Sequence, residues 1–306
     1  MRAMIVAAGL GTRLRPLTNL VPKPAVPVCG LPMIAYTLAL LRHHGVTEVI
    51  VNTHHLPAML ERTATEHCPV GLALRFSREE TLLDTGGGIR RAAGFLRESD
   101  PCLIVGGDML LDADLTGLVS RHRDRGDAVS MLLREDVRAD TFGTVGVDDE
   151  GVVRRIGSRH DLGGATRAGV YTWANVVSAR AFDALPDREA FSHFDDWIVP
   201  LLEAGARDVR GDFAPCTWEP VGTPREYLAV NFAPPALSYL DVAAEARRRG
   251  VRLEPGLVVG AGAKIGAGAS LANTVVWSDE HVPAGARLED GVFAGGRFHA
   301  FGADAP

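Results

Sequence analysis

The sequence is poor in features that mark several classes of protein. Its four cysteines are widely spaced and form no Cys-x-x-Cys pair, which argues against a disulfide framework and against a zinc site. The longest apolar stretch, residues 33–41, is too short to span a bilayer. The net charge of -6 gives no support for a nucleic-acid groove or a basic membrane surface. No signal-peptide hydrophobic segment follows Met1, so we expect a cytoplasmic protein without nucleic-acid or membrane partners.

Lysine is nearly absent as well. Among 32 basic residues only Lys23 and Lys264 are lysines. A lysine ammonium is a compact, movable charge that arginine does not replace. Lys264 lies in a glycine-alanine repeat and needs no functional explanation, whereas the surroundings of Lys23 indicate a function.

Apolar runs alternate with helical patterns along most of the 306 residues. The patterns predict strands at 3–7, 48–52, 72–76, 102–106, 128–133, 143–147, 152–156, 168–176 and 217–221. They predict helices at 33–43, 57–66, 89–97, 115–123, 194–202 and 224–231. This alternation is typical of an α/β fold, so we predict a Rossmann-like, mixed but mainly parallel sheet over residues 1–235.

The last part of the chain has a different pattern. Val259, Ile265 and Leu271 lie six residues apart among glycines and alanines, and Val282 and Leu288 repeat the spacing. Such a period predicts a linker and a short C-terminal left-handed β-helix over residues 236–306, the alternative being a flexible tail. Because a short stack of this kind leaves an open edge, we also expect a homo-oligomer.

A glycine-rich loop follows the first predicted strand. Gly9 and Gly11 allow the backbone N–H groups to approach phosphate oxygens, and Arg13 and Arg15 add charged donors. Lys23 lies between two prolines that stiffen the chain around its ammonium. A tight strand-to-helix turn would explain the glycines alone, but not two arginines and a rare lysine in the same loop.

Two further signals follow. In the run 84–88, Asp-Thr-Gly-Gly-Gly, bare backbone before a helix suits a flat base, although a plain helix N-cap is an equal alternative. The run 106–108, Gly-Gly-Asp, puts the Asp108 carboxylate at the end of a buried strand, where Mg²⁺ would bind. A simple turn aspartate is the alternative there.

The three signals, in this order, resemble the sugar-1-phosphate nucleotidyltransferase superfamily. Its members carry a GxGTRLxPLT loop, a PKP lysine, a glycine-rich turn that binds the base, and a GD aspartate that holds Mg²⁺. The runs 107–122 and 222–228 are also similar, so the resemblance covers about residues 1–232. It implies an enzyme that joins a nucleoside triphosphate to a sugar 1-phosphate and releases pyrophosphate, with Mg²⁺ as cofactor.

The resemblance leaves the nucleobase and the sugar open. The hexapeptide tail resembles guanylyltransferases that act on mannose 1-phosphate, which is the best match, and adenylyltransferases that act on glucose 1-phosphate. The run 84–89 is more similar to uridylyltransferases that use N-acetylmuramate 1-phosphate. A uridylyl- or thymidylyltransferase that acts on N-acetylmuramate 1-phosphate or glucose 1-phosphate is therefore the alternative.

The resemblance also implies roles for particular residues. The catalytic residues would be Arg13, Lys23 and Asp108, with Asp108 as the metal ligand. The residues that bind the nucleotide would be Ala7, Ala8, Gly9, Gly11, Thr12, Arg13, Thr85, Gly86 and Gly87. Gly169 and Tyr171 would line the sugar side.

The sequence departs from the family at two places. Where relatives often carry a second metal aspartate, this chain has Pro220, and neighbouring Glu219 replaces it only if the strand bulges or twists. The family's Glu-Lys-Pro, whose lysine meets the sugar phosphate, is missing; its candidate replacements are Arg154, Arg155 and Arg159. Pro220 favours a non-catalytic homologue that binds a nucleotide sugar and regulates a partner, whereas the retention of Arg13, Lys23 and Asp108 favours an enzyme.

Overall fold

The computed structural model describes residues 1–301. The strands are β1 (Arg2–Val6), β2 (Pro27–Val28), β3 (Leu31–Pro32), β4 (Glu48–Thr53), β5 (Ala73–Arg78), β6 (Cys102–Gly106), β7 (Met109–Asp112), β8 (Val129–Arg134), β9 (Thr144–Val147), β10 (Val153–Ile156), β11 (His160–Asp161), β12 (Arg167–Val177), β13 (Val209–Phe213), β14 (Thr217–Pro220), β15 (Arg252–Glu254), β16 (Leu257–Val259), β17 (Lys264–Ile265), β18 (Ser270–Val276), β19 (His281–Val282), β20 (Arg287–Ala294) and β21 (Arg297–Ala300).

The helices alternate with these strands. The α-helices are α1 (Leu17–Leu20), α2 (Met33–His43), α3 (Pro57–Glu66), α4 (Asp84–Leu96), α5 (Leu115–Arg125), α6 (Ala139–Phe142), α7 (Val199–Glu203), α8 (Pro224–Phe232) and α9 (Val242–Arg248). Short 3-10 turns lie at Thr12–Leu14, Lys23–Ala25 and Ala179–Ala184, and a π-helical turn at Phe194–Ile198 leads into α7. The helix predicted at 194–202 is therefore two different helical segments.

The main sheet is mixed and has a parallel centre, as predicted. Its order is β5-β4-β1-β6-β12-β9-β10-β11, and β8 joins β12 to β13. The strands β5, β4, β1 and β6 are parallel, whereas β12 runs antiparallel to β6, β8 and β9. The carboxyl ends of β1 and β6 therefore lie side by side at one edge of the sheet.

The central strands are buried on both faces. In β1, Ala3 and Ile5 pack into one hydrophobic core and Met4 packs into another, because successive side chains of a strand point to opposite faces. In β6, Leu103 and Ile104 divide between the same two cores. This two-sided burial explains why both strands read as uninterrupted apolar runs.

The helix α4 begins earlier than the sequence suggests. We predicted a helix from residue 89 with three glycines in front of it, but the helix begins at Asp84 and the glycines form its first turn. The prediction relied on the low helix propensity of glycine. It was wrong because tertiary packing decides the conformation here. A Cβ on Gly87 would lie 2.2 Å from the Glu189 carbonyl oxygen, so only glycine lets the helix approach residues 189–191 this closely.

The C-terminal strands stack in register. The parallel strands β16, β18 and β20 pair Leu257 with Thr274 and Thr274 with Gly291, a step of 17 residues, and β17 pairs with β19. The five aliphatic residues that the six-residue period singled out share one hydrophobic cluster, as predicted: Val259, Ile265, Leu271, Val282 and Leu288. The left-handed β-helix itself stays a prediction.

The segment between the main sheet and the C-terminal strands is only partly helical. Between residues 234 and 255 the structure has the short helix α9, followed by the strand β15. In residues 1–301, no helix is both long and apolar enough to cross a membrane.

Candidate active site

A cleft of about 290 Å³ opens at the carboxyl ends of β1 and β6. Backbone from the end of β1, the loop after it, the lysine turn and the start of α4 form its walls. The lining residues are Val6, Ala7, Ala8, Gly9, Arg13, Lys23, Pro24, Asn52, Leu82, Asp84, Thr85, Gly106, Asp108 and Trp173. The three predicted signals thus meet in one cleft.

The glycine-rich loop requires glycine at position 11 for a steric reason. Gly11 has a φ of +61°, and a Cβ there would lie 2.9 Å from both the Lys23 Cβ and the Thr18 Cγ2. The Thr18 hydroxyl donates to the Gly11 carbonyl at 2.9 Å and closes the loop. Gly9 has open space in front of it, and Thr12 and Arg13 are exposed. Among the described residues, Arg13 makes no hydrogen bond or ion pair, so its guanidinium is free to bind an anion.

Lys23 and Asp108 form an ion pair at the floor of the cleft. The Lys23 Nζ lies 2.6 Å from the Asp108 Oδ2. The lysine is 9% exposed, while 45% of the Asp108 side chain is exposed toward the cleft. The ammonium therefore offsets the carboxylate charge and stays within reach of any phosphate that enters.

A buried polar network supports the nucleotide side of the cleft. The Ala7 N–H donates to Asn52 Oδ1 at 2.7 Å, and Asn52 Nδ2 donates to Glu79 Oε1 at 2.8 Å. The other Glu79 oxygen accepts the Leu83 N–H at 3.1 Å, just before α4. The network ties β1 to the start of α4, and it leaves the Ala7 amide no free proton for a ligand.

The predicted base-binding glycines lie behind the wall of the cleft. The Gly86 N–H donates to the Phe191 carbonyl at 2.9 Å, and a Cβ on Gly86 would lie 2.3 Å from the Phe191 ring. Gly87 packs equally closely against Glu189. Their small size is therefore explained by packing, and Leu82, Asp84 and Thr85 are the residues of this turn that line the cleft.

Trp173 is a cleft residue that the sequence patterns did not reveal. It lies in β12 where the pairing with β8 shifts register, and its φ is +60°, a strained value for a bulky residue. The ring packs 5.0 Å from His193 and 5.2 Å from Tyr171, measured between centroids. Strain of this kind persists where the surroundings enforce it and marks functional sites.

The predicted sugar-side residues, Gly169 and Tyr171, are packed within the protein. The Tyr171 hydroxyl accepts a hydrogen bond from Asn175 Nδ2, and burial raises the pKa of Tyr171. A Cβ on Gly169 would lie 2.6 Å from the Phe213 ring, so packing also explains that glycine. Neither residue lines the cleft, and their contact with a sugar stays a prediction.

A smaller space of about 90 Å³ continues from the cleft past Asp108. Arg13, Lys23, Asp108 and Trp173 line both spaces. The smaller one is completed by Met109, Phe142, Trp218, Pro220, Gly222 and Glu226. Its lining therefore combines aromatic rings with the catalytic candidates.

The second predicted metal ligand is engaged elsewhere. Glu219 Oε2 accepts from Arg138 Nη1 at 3.0 Å, and Pro220, not Glu219, lines the space beside Asp108. Arg138 also binds Asp136, whose pKa this hydrogen bond lowers to about 2. Metal binding by Glu219 stays a prediction.

One carboxylate is nevertheless a sufficient protein contribution for Mg²⁺. The described residues contain no cluster of three or more acidic, histidine or cysteine ligands. Mg²⁺ in phosphoryl-transfer sites is usually held by one or two carboxylates together with substrate phosphates. The half-exposed Asp108 carboxylate fits that arrangement.

The chain is similar to known proteins over most of its length. A family model described as nucleotidyl transferase matches residues 2–234. A protein named mannose-1-phosphate guanylyltransferase, from Mycobacterium tuberculosis, is 34% identical over 94% of this chain and 82% of its own length. A protein named N-acetylmuramate alpha-1-phosphate uridylyltransferase, from Neisseria meningitidis, is 40% identical over 38% of this chain and 50% of its own length.

A solved structure supports the fold. The crystal structure of HddC from Yersinia pseudotuberculosis matches with a TM-score of 0.63 at 21% identity, covering 74% of this chain and 96% of that one. At this identity the likeness concerns the fold alone.

The chain belongs to the nucleotidyl transferase family. The family that the loop, the lysine and the aspartate suggested is therefore confirmed.

Proposed function

We propose that this protein transfers a nucleotidyl group from a nucleoside triphosphate to a sugar 1-phosphate and releases pyrophosphate. The observation that carries the proposal is the convergence of Arg13, Lys23 and Asp108 on one cleft, where Lys23 and Asp108 are 2.6 Å apart. A buried lysine beside a half-exposed carboxylate suits a reaction in which negative phosphate charge must be held and moved.

The reaction is an in-line displacement at the α-phosphorus. An oxygen of the sugar phosphate forms a bond to the α-phosphorus while the bond to the oxygen that bridges to the β-phosphate breaks, and pyrophosphate leaves with that oxygen. The protein has little covalent work in such a transfer, so positioning and charge neutralisation carry catalysis.

We assign the residues accordingly. Arg13 and the N–H groups of residues 9–12 hold the triphosphate, and Lys23 neutralises charge at the α-phosphate. The Asp108 carboxylate would hold Mg²⁺, which, when bound, supplies Lewis-acid stabilisation of the phosphate oxygens. When phosphate enters, the Lys23 ammonium gains a second anionic partner besides Asp108. Lys23 can then contact the phosphate oxygens as their charge changes during the reaction.

Two walls would discriminate the substrates. Ala7, Ala8 and Thr85 frame the base. Gly86 and Gly87 contribute to this wall because their small size lets α4 pack closely against residues 189–191. Trp173 faces the sugar, and the Tyr171 ring packs against it.

GTP and mannose 1-phosphate are the best-supported substrate pair. The support is the named guanylyltransferase relative, which is similar over nearly the whole chain, tail included. The uridylyltransferase relative is more identical but over a much shorter stretch, so UTP with N-acetylmuramate 1-phosphate is the alternative pair. Glucose 1-phosphate with UTP or dTTP is a further alternative.

A non-catalytic homologue that binds a nucleotide sugar is the second candidate function. The observation that favours it is Pro220 at the position of the second metal aspartate, with Glu219 held by Arg138. The retained Lys23–Asp108 pair argues for catalysis, because simple binding does not require that pair.

A substrate panel tests the proposal. GTP, UTP, ATP and dTTP are each combined with mannose, glucose and N-acetylmuramate 1-phosphates and Mg²⁺, and released pyrophosphate is measured. We expect the highest turnover for one pair, and the Asp108→Asn variant should abolish it. Tight nucleotide-sugar binding with no turnover of any pair would favour the regulatory homologue.

We also propose the remaining organisation. Residues 1–235 would be the catalytic domain, and residues 236–306 a linker with a short left-handed β-helix, supported by the 17-residue step between its parallel strands. The protein would act as a homo-oligomer in the cytoplasm.

A further inference from the structure

A chain of hydrogen bonds connects the C-terminal strands to the catalytic lysine turn. Trp277 follows β18, and its indole Nε1 donates to the Tyr227 hydroxyl oxygen at 3.0 Å. The Tyr227 hydroxyl in turn donates to the Pro27 carbonyl at 2.8 Å. Tyr227 is fully buried, so its hydroxyl has these protein partners in place of water.

The same helix holds the other end of the Pro27–Val28 strand. Asn231 lies one turn after Tyr227 on α8, and its Oδ1 accepts the Cys29 N–H at 2.8 Å. Its Nδ2 donates to the Tyr227 carbonyl at 2.9 Å, which fixes the amide. The helix α8 therefore fastens β2 on both sides.

The strand β2 leads directly back to Lys23. The Val26 N–H donates to the Lys23 carbonyl at 3.1 Å, and the Met33 N–H donates to the Val26 carbonyl at 3.1 Å. A short, hydrogen-bonded turn thus separates the Pro27 carbonyl from the catalytic lysine. Because this turn is short and held by hydrogen bonds, a displacement of the Pro27 carbonyl should also displace Lys23.

Apolar packing joins the same two regions. Leu14 and Leu17 of the glycine-rich loop and Val26 of the lysine turn lie in one core with Val275 and Val292 of the C-terminal strands. All five are fully or nearly fully buried. The glycine-rich loop, the lysine turn and the C-terminal strands therefore share one hydrophobic core.

A tight turn of the tail supports the loop at a second point. A Cβ on Gly295 would lie 3.0 Å from the Leu20 side chain, at the end of α1. The Glu280 carboxylate accepts the Gly295 N–H at 2.6 Å and the Gly296 N–H at 3.0 Å, and so fixes this turn.

We propose that Trp277 is a positioning residue for Lys23, acting through the Tyr227 hydroxyl and the Pro27 carbonyl. The C-terminal strands then serve the catalytic site from beneath, although none of the residues that line the cleft lies in them. The expected effects on kcat rest on the proposed function, whereas the expected effects on the mobility of the lysine turn rest on the structure alone.

Trp277→Phe is the test, because it removes the indole N–H and keeps an aromatic ring. We expect kcat to fall about tenfold with the KM of both substrates nearly unchanged, since small displacements of a catalytic group cost rate before binding. Trp197→Phe is the matched control. The Trp197 Nε1 donates to the Ala181 carbonyl at 3.1 Å, and Trp197 belongs to a different hydrophobic core from the loop and the C-terminal strands. The kcat of Trp197→Phe should stay at the wild-type value.

The thermal midpoints of the two variants distinguish a displaced Lys23 from a general loss of stability. Trp197 is 3% exposed while Trp277 is half-buried, so the control variant should be destabilised at least as much as the test variant. Loss of kcat in Trp277→Phe alone supports the proposal. Full kcat in Trp277→Phe, or equal losses of kcat in both variants, would overturn it.

A double-mutant comparison tests the route. In a Tyr227→Phe background the hydroxyl is gone, so Trp277→Phe should have no further effect on kcat. Independent, multiplying losses would show that Trp277 does not act through Tyr227.

Hydrogen exchange tests the positioning role without measuring catalysis, so its outcome does not depend on the proposed function. In Trp277→Phe, amides of residues 22–33 should exchange several-fold faster than in the wild type, and in Trp197→Phe they should not. If the wild type turns over no substrate pair, the proposed function fails and exchange alone decides the inference. Unchanged exchange across residues 22–33 in Trp277→Phe would refute the positioning role.

Discussion

Replacing Lys23 by methionine removes one charge from the cleft and keeps most of the length of the side chain. The stem of Lys23 packs against the Gly11 turn, where an added Cβ would lie 2.9 Å from the Lys23 Cβ. Methionine preserves that packing, whereas alanine would not. The variant therefore isolates the ammonium.

The structure predicts different sizes for the effects on stability and activity. The lost partner, Asp108, has a side chain that is 45% exposed, so water can hydrate it, and the pair contributes only about 0–1 kcal/mol to folding. In the proposed reaction the same ammonium would face developing phosphate charge. Removing one such preorganised contact typically lowers kcat by about 10²–10³-fold, or about 2.7–4 kcal/mol.

Lys264 provides a matched control. It is the only other lysine and lies exposed on β17, so Lys264→Met makes the same chemical change outside the cleft. Pyrophosphate release and the thermal midpoint are measured for both variants. Near-normal turnover in Lys23→Met, or a loss of activity matched by a large fall in its midpoint, would refute the role given to the ammonium.

Three further changes have defined outcomes. Asp108→Asn should abolish Mg²⁺-dependent turnover and weaken Mn²⁺ binding measured by paramagnetic resonance, because an amide is a poor ligand for a hard cation; unchanged metal affinity would remove Asp108 as ligand. Gly87→Ala should lower the urea-unfolding free energy by about 1–3 kcal/mol, since its Cβ would lie 2.2 Å from the Glu189 carbonyl; an unchanged value would show that the neighbouring segment yields. Burial lowers the pKa of His193 to about 4 from its usual 6.5, so stability should be complete above pH 6.5 and fall toward pH 4; a His193→Phe variant with an equally steep pH dependence would contradict this.

Local patterns predicted the parts of the fold that local chemistry governs. The apolar runs of β1 and β6 are long enough to identify buried strands, and glycines with charged neighbours after β1 identified a loop that lines the cleft. The six-residue spacing identified the C-terminal residues that point inward, such as Val259 and Val282. In each case the residues that set the structure are close together in sequence.

The features that the sequence did not reveal depend on contacts between distant segments. The start of α4 is set by packing on residues 189–191, which overrides the poor helix propensity of three glycines. Trp173 reaches the cleft through a register shift between β12 and β8, which no pattern within β12 encodes. The Asn52–Glu79 bond and the Trp277–Tyr227 bond likewise join residues far apart in sequence.

The most direct test of the central claim is to identify the product. The purified protein is incubated with GTP, mannose 1-phosphate and Mg²⁺, and the mixture is analysed by phosphorus NMR and mass spectrometry. The account predicts GDP-mannose and pyrophosphate in equal amounts, or the corresponding nucleotide sugar for another pair of the panel. Over the same time Lys23→Met should form at least about a hundredfold less product, and Asp108→Asn should form none. Recovery of unchanged substrates for every pair, from a folded protein that still binds nucleotide sugars, would contradict it.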